Sequence, residues 1–254
     1  MTIQLTQEKL YNLHLSGMAK ALEHQRATPS IQTLAFDDRL AMIVDAEEQE
    51  RETRRLQRLR KSSRLKFVNA SFEGIDYRPD RHLDQQQLHH LFHGDWIRHA
   101  QDILITGVTG TGKSWLACAL GTQAMRLGYK AQYWRLSNLM DELDIARSDG
   151  RLLRLKNQLR KFDVLILDDW GLAPLRPQHR QELHGLIDDR GGSVPTIIAA
   201  QLPIDRWYDY IGEPTVADAI MDRLAHSAHR IELQGHSMRK RVSSKSNSKS
   251  SESE

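Results

Sequence analysis

The sequence predicts an α/β fold in which a mainly parallel five-stranded sheet follows a small all-helical N-terminal domain. Short apolar runs alternate with longer amphipathic stretches from Trp96 to about Lys240. The intervening stretches of about 20 residues suit helices that cross over between parallel strands. Residues 1–66, by contrast, show helical periodicity alone. The 254 residues leave room for one or two domains of about 150 residues each.

Composition argues against membrane and secreted proteins. Hydrophobic residues make up 39% and charged residues 27% of the chain, and no apolar run approaches the roughly 20 residues that cross a bilayer. The N-terminus lacks the basic and then apolar pattern of a secretory signal. The one cysteine, Cys118, forms no internal disulfide and excludes a cysteine-based zinc cluster. We therefore expect a cytoplasmic protein with no membrane partner.

The N-terminal domain, predicted at residues 1–66, begins with one amphipathic helix. Its apolar face carries Tyr11, Leu15, Met18 and Leu22, which are spaced by three or four residues. The Thr-Pro-Ser sequence at residues 28–30 interrupts this helix, because proline lacks an N–H and disfavours helix in the residue before it. A second helix then places four apolar side chains on one side: Phe36, Leu40, Ile43 and Val44.

A basic block continues the second helix. The net charge of the chain is only +3, but residues 51–66 hold eight basic side chains against one acidic side chain, Glu52. Four arginines share one helix face: Arg51, Arg54, Arg55 and Arg58. The others are Arg60, Lys61, Arg64 and Lys66. Such a local concentration of positive charge indicates a specific anionic partner.

The rest of the chain divides into three predicted parts. Residues 67–95 form a connector, because Gly74, Pro79 and Gly94 interrupt them and only a short helix near residues 85–92 is expected. The second domain spans residues 96–240. Its five strands are expected at residues 103–105, 131–134, 164–167, 196–200 and 231–233. Residues 241–254 are rich in serine and predicted to be disordered.

The sharpest chemical signal is a phosphate-binding loop. Residues 107–114 (Gly-Val-Thr-Gly-Thr-Gly-Lys-Ser) follow the first strand, precede a helix-forming run and match G-x-x-x-x-G-K-[ST]. The glycines let successive N–H groups point at phosphate oxygens. Lys113 is predicted to bridge the β- and γ-phosphates of ATP, and the Ser114 hydroxyl to bind Mg²⁺. The predicted cofactor-binding residues here are Gly107, Val108, Thr109, Gly110, Thr111, Gly112, Lys113, Ser114 and Trp115.

Two acids are predicted to end the third strand. Asp168 and Asp169 follow an apolar run, and a buried parallel strand delivers its last residues to the sheet edge where the phosphate loop also lies. Asp168 is predicted to bind Mg²⁺, and Asp169 to polarise the water that attacks the γ-phosphate. A solvated turn is the alternative interpretation of the two acids.

Several longer motifs accompany these residues. They are Leu-Asp-Asp-Trp-Gly-Leu at 167–172, Ala-Gln-Leu-Pro-Ile at 200–204, Trp207, Asp-Arg-Leu-Ala-His at 222–226 and Gly-His-Ser-Met-Arg-Lys at 235–240. With them, residues 7–240 resemble the IstB helper ATPases of bacterial insertion sequences, which are relatives of the DnaC helicase loaders and DnaA initiators. The resemblance implies an AAA+ P-loop NTPase core.

The resemblance also implies roles for individual residues. Gln201 matches the polar sensor of the γ-phosphate, although Ala200 replaces the hydroxyl that often precedes this sensor. Arg239 lies where a second nucleotide-sensing arginine is expected. Residues 72–77 resemble a segment that touches the nucleotide base, and a plain linker is the alternative.

Arg223 matches the arginine that reaches into the ATP site of a neighbouring subunit, so the resemblance implies a homo-oligomer. A surface salt bridge with Asp222 or Asp218 is the alternative interpretation. The predicted catalytic residues are then Asp169, Lys113, Arg223 and Gln201.

Nucleic acid is the anion that we expect the basic helix to bind, since arginine and lysine contacts to phosphates release counterions. Residues 141–161 hold a second basic set and match the region where initiator-type ATPases add a helix along the DNA path. The predicted DNA contacts are Arg51, Arg54, Arg55, Arg58, Arg60, Lys61, Arg147, Arg151 and Arg154. A solvated charged face is the alternative for each set.

Together, these features predict an ATP-dependent DNA-binding protein that oligomerises on duplex target DNA and recruits or stimulates a transposase. ATP and Mg²⁺ are the expected cofactors. Duplex DNA, the transposase and further copies of the chain are the expected partners. A helicase loader, a small-molecule P-loop kinase and a DNA-coating scaffold with structural ATP remain alternatives.

Overall fold

A computed structural model of the chain describes residues 3–225 and 228–238. The chain divides between Leu59 and Arg60 into two compact units. The division falls before the predicted boundary at residue 66, and the predicted connector, residues 67–95, belongs to the second unit. The predicted disordered tail at residues 241–254 lies outside the described residues. No helix in the described part of the chain is long and apolar enough to cross a membrane.

Helices form the first unit. They are α1 (Ile3–Asn12), α2 (Ser16–Ala27), α3 (Pro29–Gln32) and α4 (Phe36–Ser63), and α4 runs past the division into the second unit. The predicted break at residues 28–30 is confirmed, with Pro29 in the first turn of α3 where its missing N–H costs nothing. The prediction of one helix before it is wrong. The chain turns between α1 and α2 at His14, whose φ of 59° is incompatible with a continuing helix.

Gly17 and Glu47 allow α2 and α4 to pack closely. A Cβ at Gly17 would lie 2.5 Å from the Ala46 carbonyl oxygen, so only glycine allows this approach. The Gly17 N–H donates to Glu47 Oε2 at 2.8 Å. The apolar face predicted for α4 is largely exposed within the described residues, with Phe36 at 72% exposure.

A parallel sheet forms the centre of the second unit. Its strands are β1 (Ile103–Gly107), β2 (Ala131–Arg135), β3 (Val164–Trp170), β4 (Thr196–Ala200) and β5 (His229–Leu233), in the order β2-β3-β4-β1-β5. Each pair of neighbouring strands is parallel. The five strands coincide with the five apolar runs, so the predicted sheet is confirmed.

Helices connect the strands and precede the sheet. They are α5 (Gln85–His93), α6 (Asp95–Arg98), α7 (Lys113–Arg126), α8 (Leu136–Ser148), α9 (Leu152–Leu159), α10 (Pro177–Arg190), α11 (Trp207–Ile211) and α12 (Pro214–Ala225). Single 3₁₀ turns occupy Phe72–Gly74, Pro79–Arg81 and Ile204–Arg206. The described strands and helices bury continuous apolar runs, as expected for a parallel sheet covered by helices.

The predicted connector is a packed part of this unit. Ala70, Ile75, Leu88 and Leu91 are buried, and α5 lies where a short helix was predicted. The connector therefore builds one wall of the second unit and brings its own side chains to the sheet.

A buried ion network fixes the edge of the sheet where the strands begin. Asp102 accepts the Thr196 N–H at 2.6 Å, and the guanidinium of Arg190 donates to the carbonyls of Phe162 and Pro195. Burial raises the pKa of Asp102 to about 6 and lowers the pKa of Arg190 to about 10. The strand ends on the opposite edge of the sheet carry the candidate site.

Candidate functional site

The phosphate loop joins β1 to α7 at the carboxyl edge of the sheet. Gly110 and Gly112 have φ values of 91° and 96°, a backbone region that glycine adopts without strain. A Cβ at Gly110 would lie 2.3 Å from Ser237 Oγ. Glycine therefore allows residues 235–238 to approach the loop, where the Met238 N–H donates to the Gly110 carbonyl at 2.8 Å.

Lys113 lies inside the loop at the first position of α7. Only 8% of this residue is exposed, and its Nζ donates to the Val108 carbonyl at 2.9 Å. The ammonium is thus held among the backbone groups that were predicted to surround the phosphates of ATP.

Ser114 and Asp168 lie together, as predicted for the two metal ligands. Ser114 Oγ donates to Asp168 Oδ1 at 2.9 Å, and Tyr133 donates its phenol to Oδ2 at 2.5 Å. Burial and the adjacent carboxylate raise the pKa of Tyr133, so its proton stays in this hydrogen bond. A hydroxyl and a carboxylate are hard oxygen ligands, which fits Mg²⁺ bound jointly by the protein and nucleotide phosphates.

Asp168 and Asp169 both lie in a β-bulge of β3. The prediction that the two acids end the strand is wrong, because β3 continues to Trp170 and the bulge falls between Leu167 and Trp170. Asp169 has a φ of 60°, a left-handed conformation that is uncommon outside glycine. Its Oδ2 lies 3.6 Å from Arg135 Nε, so the two carboxylates have different partners.

A cavity of about 330 Å³ opens beside the phosphate loop, a volume at the lower end of the range for small-molecule sites. Its walls come from the loop, from the connector and from the segment after β5 that contacts the loop. They consist of Lys66, Phe67, Gly74, Asp76, Arg81, Gly110, Gly112, Lys113, Ser114, Trp115 and Met238. Gly74 and Asp76 of the segment 72–77 line this cavity, and a Cβ at Gly74 would lie 3.1 Å from the Trp115 ring. The contact of this segment with the nucleotide base stays a prediction.

Arg81 is a cavity residue that the sequence analysis missed. It is 5% exposed and donates to two carbonyls, Asp76 O at 2.6 Å and Thr111 O at 2.9 Å, while its Nε has no partner among the described residues. Burial lowers its pKa. Its hydrogen bonds go to carbonyl oxygens, and the nearby carboxylates of Asp76 and Asp80 favour its charged form.

Gln201 follows the last residue of β4. Its Oε1 accepts a hydrogen bond from Thr109 Oγ1 at 2.8 Å, so the predicted sensor contacts the phosphate loop directly.

Comparison with known proteins gives one family for the chain. A family model described as "IstB-like ATP binding protein" matches residues 8–246. The chain belongs to this family. It is 49% identical over 203 residues to the insertion sequence IS1162 putative ATP-binding protein of Pseudomonas fluorescens. This alignment covers 80% of this chain and 88% of the relative. The chain is 42% identical over 245 residues to the putative insertion sequence ATP-binding protein y4pL of Sinorhizobium fredii. This alignment covers 95% of this chain and 98% of the relative.

Solved structures place the second unit of this IstB-like chain in the AAA+ P-loop fold. DnaA from Aquifex aeolicus with bound AMPPCP aligns with a TM-score of 0.56 and 17% identity over 71% of this chain and 55% of DnaA. The DnaC helicase loader aligns with a TM-score of 0.54 and 19% identity over 65% of this chain and 97% of DnaC. The predicted AAA+ core is confirmed.

Arg223 of the IstB-like chain lies away from its own nucleotide cavity. It is in the last turn of α12, where Nε lies 3.2 Å from Asp188 Oδ1 and Nη1 lies 3.6 Å from Asp222 Oδ2. A Cβ at Gly191 would lie 3.1 Å from Arg223 Cδ, which puts Arg223 near the edge where β4 begins. The salt bridge with Asp222, which was the alternative interpretation of Arg223, is present, and half of the side chain stays exposed. Arg239 lies outside the described residues.

The basic side chains of α4 are exposed, and several have acidic partners. Arg51 pairs with Glu47 at 2.8 Å, Arg54 with Glu50 at 3.1 Å and Arg55 with Glu52 at 3.7 Å. Of the predicted DNA contacts on the described part of α4, three have no ion pair: Arg58, Arg60 and Lys61. Surface pairs of this kind contribute little free energy, so they hold these arginines only weakly.

The second basic set lies on α8 and α9. Arg147 pairs with Glu182, and Arg151 pairs with Asp149 at 2.8 Å. Arg154 is exposed and lines a shallow groove on α9 together with Lys161. The extra helix expected before β3 is therefore present as α9, and its basic side chains face solvent in part.

Proposed function

We propose that this chain is an ATPase that assembles on duplex DNA and delivers a transposase to it. The observation that carries the proposal is the hydrogen bond between Ser114 and Asp168 inside a phosphate loop. This pair supplies the hydroxyl and the carboxylate that P-loop enzymes use with Mg²⁺, and the cavity beside it is bounded by Lys113 and Arg81.

Each residue of the site has its own role in ATP hydrolysis. The loop N–H groups and Lys113 hold the phosphates, and Ser114 with Asp168 would hold Mg²⁺, which offsets charge that develops on the phosphates. Asp169 accepts hydrogen bonds from the attacking water and orients it, while Gln201 contacts the γ-phosphate. The φ of 60° at Asp169 supports this role, because strained backbone collects at functional sites.

Arg223 acts on the nucleotide of a neighbouring copy. Its position beside Gly191, near the start of β4, is remote from its own phosphate loop, because the loop follows the opposite end of β1. Its half-exposed guanidinium is available to a second subunit once the pairs with Asp188 and Asp222 open. Subunits arranged in this way complete one another's sites, and ATP then favours a homo-oligomer.

DNA is the proposed partner of the basic helix α4. Three unpaired basic side chains and three weakly paired arginines give it the positive surface that phosphate contacts require. The relatives named above are insertion sequence proteins, which supports a role in transposition within the cytoplasm and contact with a transposase.

Imaging of the protein on long duplex DNA tests the assembly step. We expect particles of several subunits on DNA with a non-hydrolysable ATP analogue and few without nucleotide. ATP hydrolysis should rise when duplex DNA is added. The same imaging with Lys113→Ala is the matched control, because this variant loses a phosphate ligand at the outset and should not assemble.

A pull-down separates transposition from helicase loading. The cognate transposase and the replicative helicase of the host are each offered to the ATP-bound protein on DNA. Retention of the transposase alone is expected. Retention of the helicase alone would replace the proposal with a helicase-loading function, and hydrolysis stimulated by a metabolite but not by DNA would indicate a kinase.

A further inference from the structure

Lys66 reaches the carboxylate that is proposed to bind Mg²⁺. Its Nζ lies 3.3 Å from Asp168 Oδ2, while Ser114 Oγ occupies the other oxygen of the same carboxylate. The Lys66 side chain is 23% exposed and the Asp168 side chain 2% exposed. A lysine of the basic block therefore lines the nucleotide cavity and does not lie on the DNA-binding face that the sequence predicts for its neighbours.

The backbone around Lys66 is anchored by the residues that precede it. Leu65 is 7% exposed, and a Cβ at Gly121 of α7 would lie 3.3 Å from Leu65 Cδ2. Arg64 follows α4 with a φ of 54°, and its guanidinium carbon lies 5.4 Å from the centre of the Trp134 ring. These contacts deliver the ammonium to Asp168, in contrast to a surface lysine that samples many positions.

The pairing has two physical consequences. A carboxylate as buried as Asp168 needs a cation or several donors, and Lys66 supplies the cation. A cation at Oδ2 also opposes a second cation at the same carboxylate, because the two positive charges would repel over a few ångströms. The ammonium and a divalent metal ion therefore compete for Asp168.

We propose that Lys66 is a positioning residue that sets the Mg²⁺ concentration at which nucleotide binds productively. Its ammonium holds Asp168 against Ser114 and must leave the carboxylate before a metal ion is bound there. The proposal rests on the proposed ATPase function, since it assigns a role to one more residue of the same site. It predicts that removing the charge at position 66 makes metal binding easier.

The test is a Mg²⁺ titration of the full chain with a fluorescent ATP analogue at fixed concentration. The readout is the Mg²⁺ concentration that gives half of the fluorescence change, which does not depend on turnover. Lys66→Met removes the charge and keeps the length of the side chain, and Lys66→Arg keeps the charge. Lys61→Met is the matched control, because Lys61 is exposed, lies five positions earlier and does not line the cavity.

We expect Lys66→Met to lower the half-saturating Mg²⁺ concentration about fivefold or more, as the loss of a partly buried cation from a carboxylate implies. Lys66→Arg and Lys61→Met should stay close to the unmodified protein. A half-saturating concentration in Lys66→Met that is unchanged or higher would overturn the inference and leave the ATPase proposal intact. If the unmodified protein shows no Mg²⁺-dependent nucleotide binding at all, both proposals fail.

Discussion

Ser114 Oγ and Asp168 Oδ1 are 2.9 Å apart although 54 positions separate the two residues in the chain. Ser114 follows β1 and Asp168 lies on β3, and these two strands are not neighbours because β4 lies between them in the sheet. The first turn of α7 carries the hydroxyl across β4 to the end of β3. The fold thus brings together two proposed Mg²⁺ ligands from short motifs that are joined neither by strand pairing nor by proximity in the chain.

Ser114→Ala should weaken Mg²⁺-dependent binding of ATP by about tenfold or more, because one hard oxygen ligand and one donor to Asp168 disappear. Ser114→Thr keeps the hydroxyl at the same position and is the matched control. Equilibrium binding of a fluorescent ATP analogue at several Mg²⁺ concentrations measures both variants. Equal affinities for Ser114→Ala and the unmodified protein would argue against a metal ligand at this position.

Charge reversal at Arg54, Arg55 and Arg58 should weaken duplex DNA binding to a similar extent for every sequence. The slope of log affinity against log salt should flatten by about 0.9 for each DNA phosphate that the variant no longer neutralises. Basal ATP hydrolysis should persist, because none of the three lines the nucleotide cavity. Binding assays from low to moderate salt measure the slope.

Reversal at Lys9 and Arg26, two exposed basic residues of α1 and α2, is the control for a general charge effect. An unchanged salt slope in the triple variant, or an equal change in the control, would contradict the assignment of α4 to DNA.

The five strands and the phosphate loop were predictable because their signals are local. Each strand is a short apolar run, and the loop is a contiguous motif between a strand and a helix. Other features depend on long-range contacts. Arg81, Tyr133 and Met238 join the site only because the connector, β2 and the segment after β5 converge on it. Nothing in the immediate sequence neighbours of Arg81 and Tyr133 signals that convergence.

Two wrong predictions of helix and strand bounds also have physical causes. The spacing of Tyr11, Leu15 and Met18 is helical, but His14 takes a left-handed conformation that periodicity does not record. The run before Asp168 indicated a strand end, whereas the strand continues through a bulge to Trp170, whose buried ring packs 5.0 Å from that of Trp207. Core packing beyond the acids therefore determined where β3 ends.

Arg223→Ala should leave ATP binding nearly unchanged and reduce hydrolysis by about 10³-fold or more, as for arginines supplied in trans to related sites. Asp188→Ala is the control, because it removes one of the two ion pairs of Arg223 and keeps the guanidinium. Mixing Arg223→Ala with Lys113→Ala should restore part of the hydrolysis, since one variant retains the intact cavity and the other retains the arginine. No recovery at any ratio of two folded variants would contradict a shared site.

Asp102 should make the free energy of unfolding depend on pH. Burial raises its pKa to about 6 from 3.8, so the folded protein holds a proton that the unfolded chain releases between these values. The stability that this proton contributes is therefore present at low pH and falls as pH rises through that window. Asp102→Asn should flatten the profile by about 1 to 3 kcal/mol.

Urea unfolding of Asp102→Asn and the unmodified protein at several pH values within the window isolates this contribution. The amide oxygen of asparagine can still accept the Thr196 N–H, so the packing at the start of β4 should survive. If the free energy of unfolding changed with pH in the same way for both proteins, a raised pKa of Asp102 would be contradicted.

We propose further that ATP hydrolysis releases the assembly from DNA, and the residence time of Asp169→Asn on duplex DNA tests this ATPase account most directly. Asparagine keeps the size of the side chain and its hydrogen bonds but removes the charge that orients the attacking water, so turnover should fall by about 10²-fold or more. ATP should still bind and the subunits should still assemble, whereas Lys113→Ala should fail to assemble. We predict that Asp169→Asn stays on DNA many times longer than the unmodified protein in the presence of ATP. Release at the unmodified rate, with hydrolysis abolished, would contradict the account.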